Sequence, residues 1–263
     1  MIEVISLMSA EGLQKIVTGL VTNFTGFAPL GTVLVALLGV SVAEHSGLLS
    51  TILRSLVLNA PRQMVTFIIV FAGIISNTAS ELGYVVLIPL AAMIFHSLGR
   101  HPLAGLAAAF AGVSAGYSAN LLLGTIDPLL AGITTPAAQM IDPDYIVGPE
   151  ANYYLMFVST FVVAAMGYAV TEYIVEPRLG KYNPSDAPET LDQPTLAAPT
   201  PKERHAMKMA GWSFLLLAGI LALTIVPEWG ILRHPETNAV TGSPFLKGIV
   251  AFIFIVNRSV FPY

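Results

Sequence analysis

The sequence predicts an all-α, polytopic membrane protein with one re-entrant hairpin and one broken helix. Composition is the first reason. Of 263 residues, 55% are hydrophobic and 11% charged, less than half the roughly 25% charge of an average soluble domain. Patterning is the second: the apolar residues gather in stretches close to the about 20 residues that a helix needs to cross a bilayer. The third is that two of these stretches are interrupted midway by polar residues, at 76–81 and 120–127. A net charge of −4 is small and points to no nucleic-acid partner. With no cysteine, disulfides and thiolate metal sites are excluded. Residues 1–11 lack a basic stretch followed by an apolar core, so no signal peptide is expected.

Residues 1–62 are read as interfacial helices around a first span. Leu13, Ile16, Val17, Leu20, Val21 and Phe24 recur at helical spacing, the pattern of a helix lying in the interface. "FAPLGTVLVALLGVSVA" at 27–43 is just long enough to cross. "LLSTILRSLVL" repeats the interfacial pattern with Leu48, Leu49, Ile52, Leu53 and Leu56.

Residues 63–96 are read as the hairpin. The arms 64–75 and 82–95 are each too short to cross, and "SNTASE" lies between them. A segment that dips in and returns accommodates both facts. Residues 102–174 hold the broken helix and the next span. "PLAGLAAAFAGVSAGYSANLLLGT" is apolar but rich in Gly, Ala and Ser, and it runs into Ile126-Asp127-Pro128. Pro128 removes a backbone donor and discourages continuous helix. Helix is therefore expected to about residue 119, unwound chain over 120–125, and helix again from Leu129. Residues 153–174 are a span with aromatic residues at its outer edge. Residues 175–206, rich in Pro, Asp, Glu and Thr, are read as a flexible cytoplasmic loop. Residues 207–263 hold a span over 207–226 and the start of another at Phe245.

The positive-inside rule supports this layout. With Arg54 and Arg62 cytoplasmic, a hairpin puts Arg100 on the same side. The opposite loop, 141–151, carries Asp142, Asp144 and Glu150 and no Lys or Arg. Arg178, Lys181, Lys202, Arg204 and Lys208 then fall inside. A single crossing by 64–95 would separate Arg62 from Arg100.

Non-helical backbone at membrane depth is tolerated only inside protein or beside a water-filled cavity, so the tip and the break are the candidate site. Ser76, Asn77, Thr78 and Asn120 offer uncharged oxygens suited to a weakly held sodium ion. Ser and Asn are equally good helix caps. Asp127 is an ionisable residue in apolar surroundings and so a functional candidate. It either takes a proton or neutralises a cation, or else caps the second half-helix. Ser118 and Thr125 are its candidate neighbours. Glu81 either faces the cavity or charges the start of the second arm. Glu44, His45, Glu172, Glu176 and Arg178 read as headgroup-layer residues, and His96 and His101 as solvated at the hairpin base. No phosphate loop, zinc motif or hydrolase elbow occurs, and no cofactor is expected.

Four segments together resemble the AbgT family, the p-aminobenzoyl-glutamate transporters of bacteria: "NFTGFAPLGTVLVALLGVSVAEHSGLL", "SNTASELGYVVLIPLAAMIF", "GRHPLAGLAAAFAGVSAGYSANLLLGTIDPLLAGITT" and "EYIVEPRLGKY". The resemblance spans about residues 11–226. "SNT" also looks like the hairpin tip of sodium-coupled dicarboxylate transporters. The resemblance implies a multi-pass inner-membrane carrier, a homodimer in the lipid bilayer, built on two inverted repeats each with a hairpin and a broken helix. It implies secondary transport of p-aminobenzoyl-glutamate, coupled to sodium or protons, or export of sulfonamides. The family's acid falls on Asp127 and its tip residues on Ser76, Asn77 and Thr78.

Measured against that family, the chain reads as the first repeat of a truncated or frame-shifted member. A span before Glu11 and the second repeat after about residue 256 are missing from the expected pattern, and "VNRSVFPY" departs from it. Two other classes stand beside the transporter: a non-transporting membrane remnant, and an intramembrane enzyme using Asp127 as an acid.

Overall fold

A computed structural model describes residues 6–79, 83–124, 126–183, 199–240, 243–248, 251–252 and 255. The described chain is helical, and its core lies where the hairpin meets the broken helix. The hairpin's first arm is α4 (Val65–Ser76), which passes into a 3-10 turn at Asn77–Ala79. The second is a π-turn at Gly83–Leu87 leading into α5 (Ile88–Ser97). Both arms pack on α6 (Pro102–Ala115), and α8 (Tyr153–Val170) closes the unit against α4 and α6. Ile69, Val70, Ile74, Leu87, Ala91, Phe95, Ala108, Val113 and Ala164 form the centre of this core.

The arms approach α6 so closely because the contact is made by backbone. A methyl group on Gly112 would come within 2.5 Å of the Val70 carbonyl oxygen, and one on Gly73 within 2.7 Å of the Val113 nitrogen. Gly105 meets the Ala91 carbonyl and the Phe95 ring in the same way. Small residues at helix–helix contacts are the usual solution in membranes, where dispersion rather than water exclusion drives packing.

The two ends of the hairpin lie on one side. Arg100, which follows α5, donates to the Thr66 hydroxyl at the start of α4 at 2.9 Å. Each arm is too short to cross alone, and the two ends of 63–96 lie together, as a re-entrant path requires; residues 80–82 lie outside the described set.

The remaining elements are looser. α1 (Ala10–Thr25) is capped by the Ser9 hydroxyl, which accepts the Gly12 N–H at 3.0 Å, and exposes its whole apolar stripe. α2 (Leu30–His45) begins after the buried Pro29, against which Gly132 packs. At 16 residues it rises about 24 Å, short of the roughly 30 Å of hydrocarbon, so α2 alone does not reach the length of the span expected at 27–43. α3 (Leu48–Leu58) meets α4 at a bend of 117° around Pro61. Leu53 and Val57 turn inward, while Ile52 and Leu56 face out.

α8 runs on through a π-turn at Thr171–Val175 into α9 (Glu176–Leu179), giving a continuous helix of 27 residues. The first part of the segment read as a loop from residue 175 is thus helical. α10 (Pro201–Ile225) starts six residues before the expected span, because Thr200 and Glu203 form a reciprocal capping box. These two are the described helices long and apolar enough to cross a membrane. α11 (Pro244–Lys247) is short, and most of the last expected span lies outside the described residues.

The packing of α4 on α8 is directly testable. A Cβ on Gly167 would lie 3.5 Å from Val70 Cβ, within disulfide range. In a chain without other cysteines, Val70→Cys with Gly167→Cys is expected to cross-link on mild oxidation. Cleavage in the exposed 141–146 loop, between the two positions, reads it out: the fragments stay joined until a reductant is added, and no cross-link would place α4 away from α8.

Candidate functional site

The hairpin tip and the helix break meet. α4 ends at Ser76, whose hydroxyl donates to the Gly73 carbonyl at 2.6 Å. Asn77 is buried, and its amide nitrogen donates to the carbonyls of Gly73, Ile74 and, across the interface, Val113 at 2.8 Å. Those three acceptors fix the carboxamide and turn its oxygen away from them. The Thr78 hydroxyl donates to Asn120 Oδ1 at 2.9 Å, and the same oxygen accepts the Leu121 N–H at 2.9 Å.

On the other side of the contact, α6 tightens into a 3-10 turn at Gly116–Ser118, and Ala119 is extended. Gly116 has no room for a side chain, because Asn77 and Ile74 press against it. The chain then runs irregularly until α7 (Ile126–Gln139). Helix resumes three residues before the expected Leu129. Pro128 falls in the first turn, where its missing N–H has no intrahelical partner to lose. Asp127 thereby sits in the first turn of α7, and its carboxylate accepts the Gly124 N–H at 2.6 Å. A methyl group on Gly124 would lie 3.8 Å from that carboxylate, 3.7 Å from the Asn77 carbonyl oxygen and 3.8 Å from Thr78 Cα. One small buried residue therefore touches the tip and the acid together. The Tyr153 hydroxyl, at the start of α8, donates to the Leu121 carbonyl at 3.1 Å and steadies the unwound segment.

The sequence-derived candidates divide accordingly. Asn77, Thr78, Asn120 and Asp127 lie around the junction, while the Ser76 hydroxyl turns back to Gly73 and faces Gly83 of the second arm. Ser118 is exposed at the end of its 3-10 turn. Glu81 and Thr125 lie outside the described residues. Within the set, much hydrogen-bonding capacity is already spent: the Asn77 nitrogen on three carbonyls, the Asn120 oxygen on two donors. Among the described residues, no donor reaches the Ser76 or Thr78 hydroxyl oxygen.

At the opposite end of the hairpin lies a charge cluster that residue-by-residue reading placed in the headgroup layer. Arg100 donates through Nε to Glu176 at 3.0 Å, through a second nitrogen to Glu176 again, and to Glu172 at 2.6 Å. Glu172 also accepts the Thr66 hydroxyl at 2.6 Å. The guanidinium stacks over the Phe95 ring, 4.2 Å from its centroid. Burial opposes the charge on Arg100, but the hydrogen bonds to Glu176 and Glu172 outweigh it and hold its pKa above the ordinary value. Beside the cluster, His96 Nδ1 pairs with the Tyr182 hydroxyl at 2.7 Å, and His101 lies against the same ring, so neither imidazole is simply solvated. Sequence separations of 72 and 76 residues hid the Arg100 pairs; the one available signal was four-residue spacing of Glu172 and Glu176 on a helix.

The sequence model of the AbgT putative transporter family matches residues 1–260. The p-aminobenzoyl-glutamate transport protein of Escherichia coli (strain K12) is 38% identical over 252 residues, covering 95% of this chain and 48% of that protein. The solved structure of Neisseria gonorrhoeae MtrF, described as illuminating a class of antimetabolite efflux pumps, is 63% identical with a TM-score of 0.84, covering 98% of this chain and 51% of that one. The Alcanivorax borkumensis YdaH transporter, described as having an unusual topology, is 44% identical with a TM-score of 0.80, covering 97% and 53%. The chain spans about half the length of each of these relatives.

Proposed function

The chain belongs to the AbgT putative transporter family, a family of multi-pass inner-membrane transporters, and from that premise we propose that it forms the first half of a secondary carrier for p-aminobenzoyl-glutamate or related aryl-amide and sulfonamide compounds. Its relatives are transporters, which sets the intramembrane-enzyme alternative aside. The observation that carries the reading is the meeting of two interrupted elements, with Thr78 bonded to Asn120 and the Asp127 carboxylate bonded to the N–H of Gly124, which lies beside the tip. Broken elements facing each other mark transporter sites because their free backbone groups and half-helix ends can hold a substrate anion and a coupling ion. In this reading the Ser76 and Thr78 hydroxyls and nearby carbonyls receive sodium, or Asp127 carries the coupling proton.

Identity is higher to the efflux pump than to the p-aminobenzoyl-glutamate transport protein, 63% against 38%, and this favours outward transport of sulfonamide-like antimetabolites as the second reading. Membrane vesicles of both orientations, loaded with labelled p-aminobenzoyl-glutamate or a labelled sulfonamide under imposed sodium or proton gradients, separate the two. The chain is assayed alone and joined to a second repeat. Gradient-driven flux in one orientation supports a carrier and assigns its direction. Flux in neither, with the joined protein inserted and folded, would leave the non-transporting remnant as the better account.

A further inference from the structure

The hairpin is held at its two ends by different chemistry, and this difference assigns a role to its base. Along the arms, contact with α6 is made mainly by glycines and apolar side chains, with two hydrogen bonds near the tip, from Asn77 to the Val113 carbonyl and between Tyr84 and Ser114. The glycine and apolar contacts set the separation of helices but carry little directional preference. At the base, one guanidinium bonds to Thr66 at the start of α4 and to Glu172 and Glu176 on the α8–α9 helix, while lying on Phe95 near the end of α5. Hydrogen bonds of this kind tolerate a few tenths of an ångström and a narrow range of angles. The π-turn at Thr171–Val175 belongs to the same arrangement. It leaves the regular helical ladder where Glu172 and Glu176 converge on Arg100; π-turns commonly mark functional positions.

We propose that Arg100 is a positioning residue: it fixes the axial depth of the hairpin, and so keeps Thr78 in register with Asn120. α4 is a single unbroken helix of 12 residues, about 18 Å long, and transmits a displacement at its base to its tip without loss. Among the described residues the hairpin is joined to the break by the Thr78–Asn120 hydrogen bond at 2.9 Å, while Asn77 and Tyr84 tie the arms to Val113 and Ser114 of α6. A slide of 1 Å at the base breaks the Thr78–Asn120 bond. The fork of the guanidinium is essential, because it meets Thr66 and two carboxylates in fixed directions. An ammonium at the same place supplies the charge but not the directions.

The test uses the full chain in liposomes and takes advantage of its lack of cysteine. Spin labels are attached at Val85→Cys, just past the tip, and Leu122→Cys, in the break; both positions are exposed. Arg100→Gln alone strands two carboxylates together and invites misfolding. The decisive variant is therefore the neutral triple Arg100→Gln, Glu172→Gln, Glu176→Gln, which removes the repulsion as well as the fork. The expected result is a narrow label–label distance in the parent and a distribution at least about twofold broader in the triple variant, with Arg100→Lys intermediate. A folded triple variant with the parent's distribution would overturn the proposal. The functional meaning of the register rests on reading the tip as a transport site. The distance measurement contains no substrate, so failure of the positioning role and failure of the transport reading are separate results.

Discussion

Asp127→Asn is expected to lower gradient-coupled transport by the carrier roughly ten- to hundredfold while leaving insertion and folding intact. The carboxylate accepts one backbone N–H, from Gly124, and a carboxamide of the same shape can still accept it. What asparagine cannot supply is the charge, and with it a proton to carry or a counter-charge for a cation. Losing a charge-assisted contact of this kind costs about 1.5–3 kcal/mol, roughly ten- to hundredfold in rate or affinity. Flux per inserted molecule is the quantity to compare, under sodium and proton gradients separately. Normal, ion-dependent flux in the mutant would reduce Asp127 to a residue that steadies the first turn of α7.

Gly112→Val is expected to destabilise the fold more than any polar substitution at the tip. The added Cβ would stand 2.5 Å from the Val70 carbonyl oxygen and 2.9 Å from Val70 Cα. These are backbone atoms of a buried helix and cannot rotate aside. Two further methyl carbons follow. Overpacking a close-packed interior costs about 1–3 kcal/mol where side chains can yield, and more where they cannot. A lower midpoint of heat-induced aggregation in detergent, or loss from the membrane fraction, checks it. Gly219→Ala in α10 is the control. Nothing lies within 4 Å of its added methyl, so stability should hold or rise by up to about 1 kcal/mol from helix propensity. Equal damage from both variants would mean that α4 and α6 are not packed backbone to backbone.

The hairpin and the break were legible because each violates its surroundings. Six polar or small residues from Ser76 to Glu81 inside an apolar stretch, and Asp127-Pro128 inside another, contradict a continuous span. Length and the placement of Arg62 and Arg100 then forced the return path. Finer features were not legible, for reasons that are physical. Pro128 suggested that helix waits until Leu129, yet proline fits a first turn, and α7 begins at Ile126. Asn77 read as a ligand or a cap, but its bond to the Val113 carbonyl depends on α6 lying alongside. Glu172 and Glu176 read as headgroup residues because nothing local reveals a guanidinium 72 and 76 residues away. Local pattern showed where the chain must break; only packing showed what the broken pieces hold.

The glycine seam along α6 has a consequence for how the chain is made. α4 has 12 residues and the second arm 15 counting its π-turn, and neither is long enough to be released into lipid as a span. Their resting place is the groove beside Gly105 and Gly112, which the ribosome delivers only after both arms have been synthesised. Until then the polar tip has no protein to shelter it, and unsatisfied backbone is not tolerated in hydrocarbon. The hairpin must therefore wait in the insertion machinery, or at the water–lipid boundary, for the helix that follows it. Assembly of this region runs backwards along the sequence: the later segment is the template on which the earlier one folds.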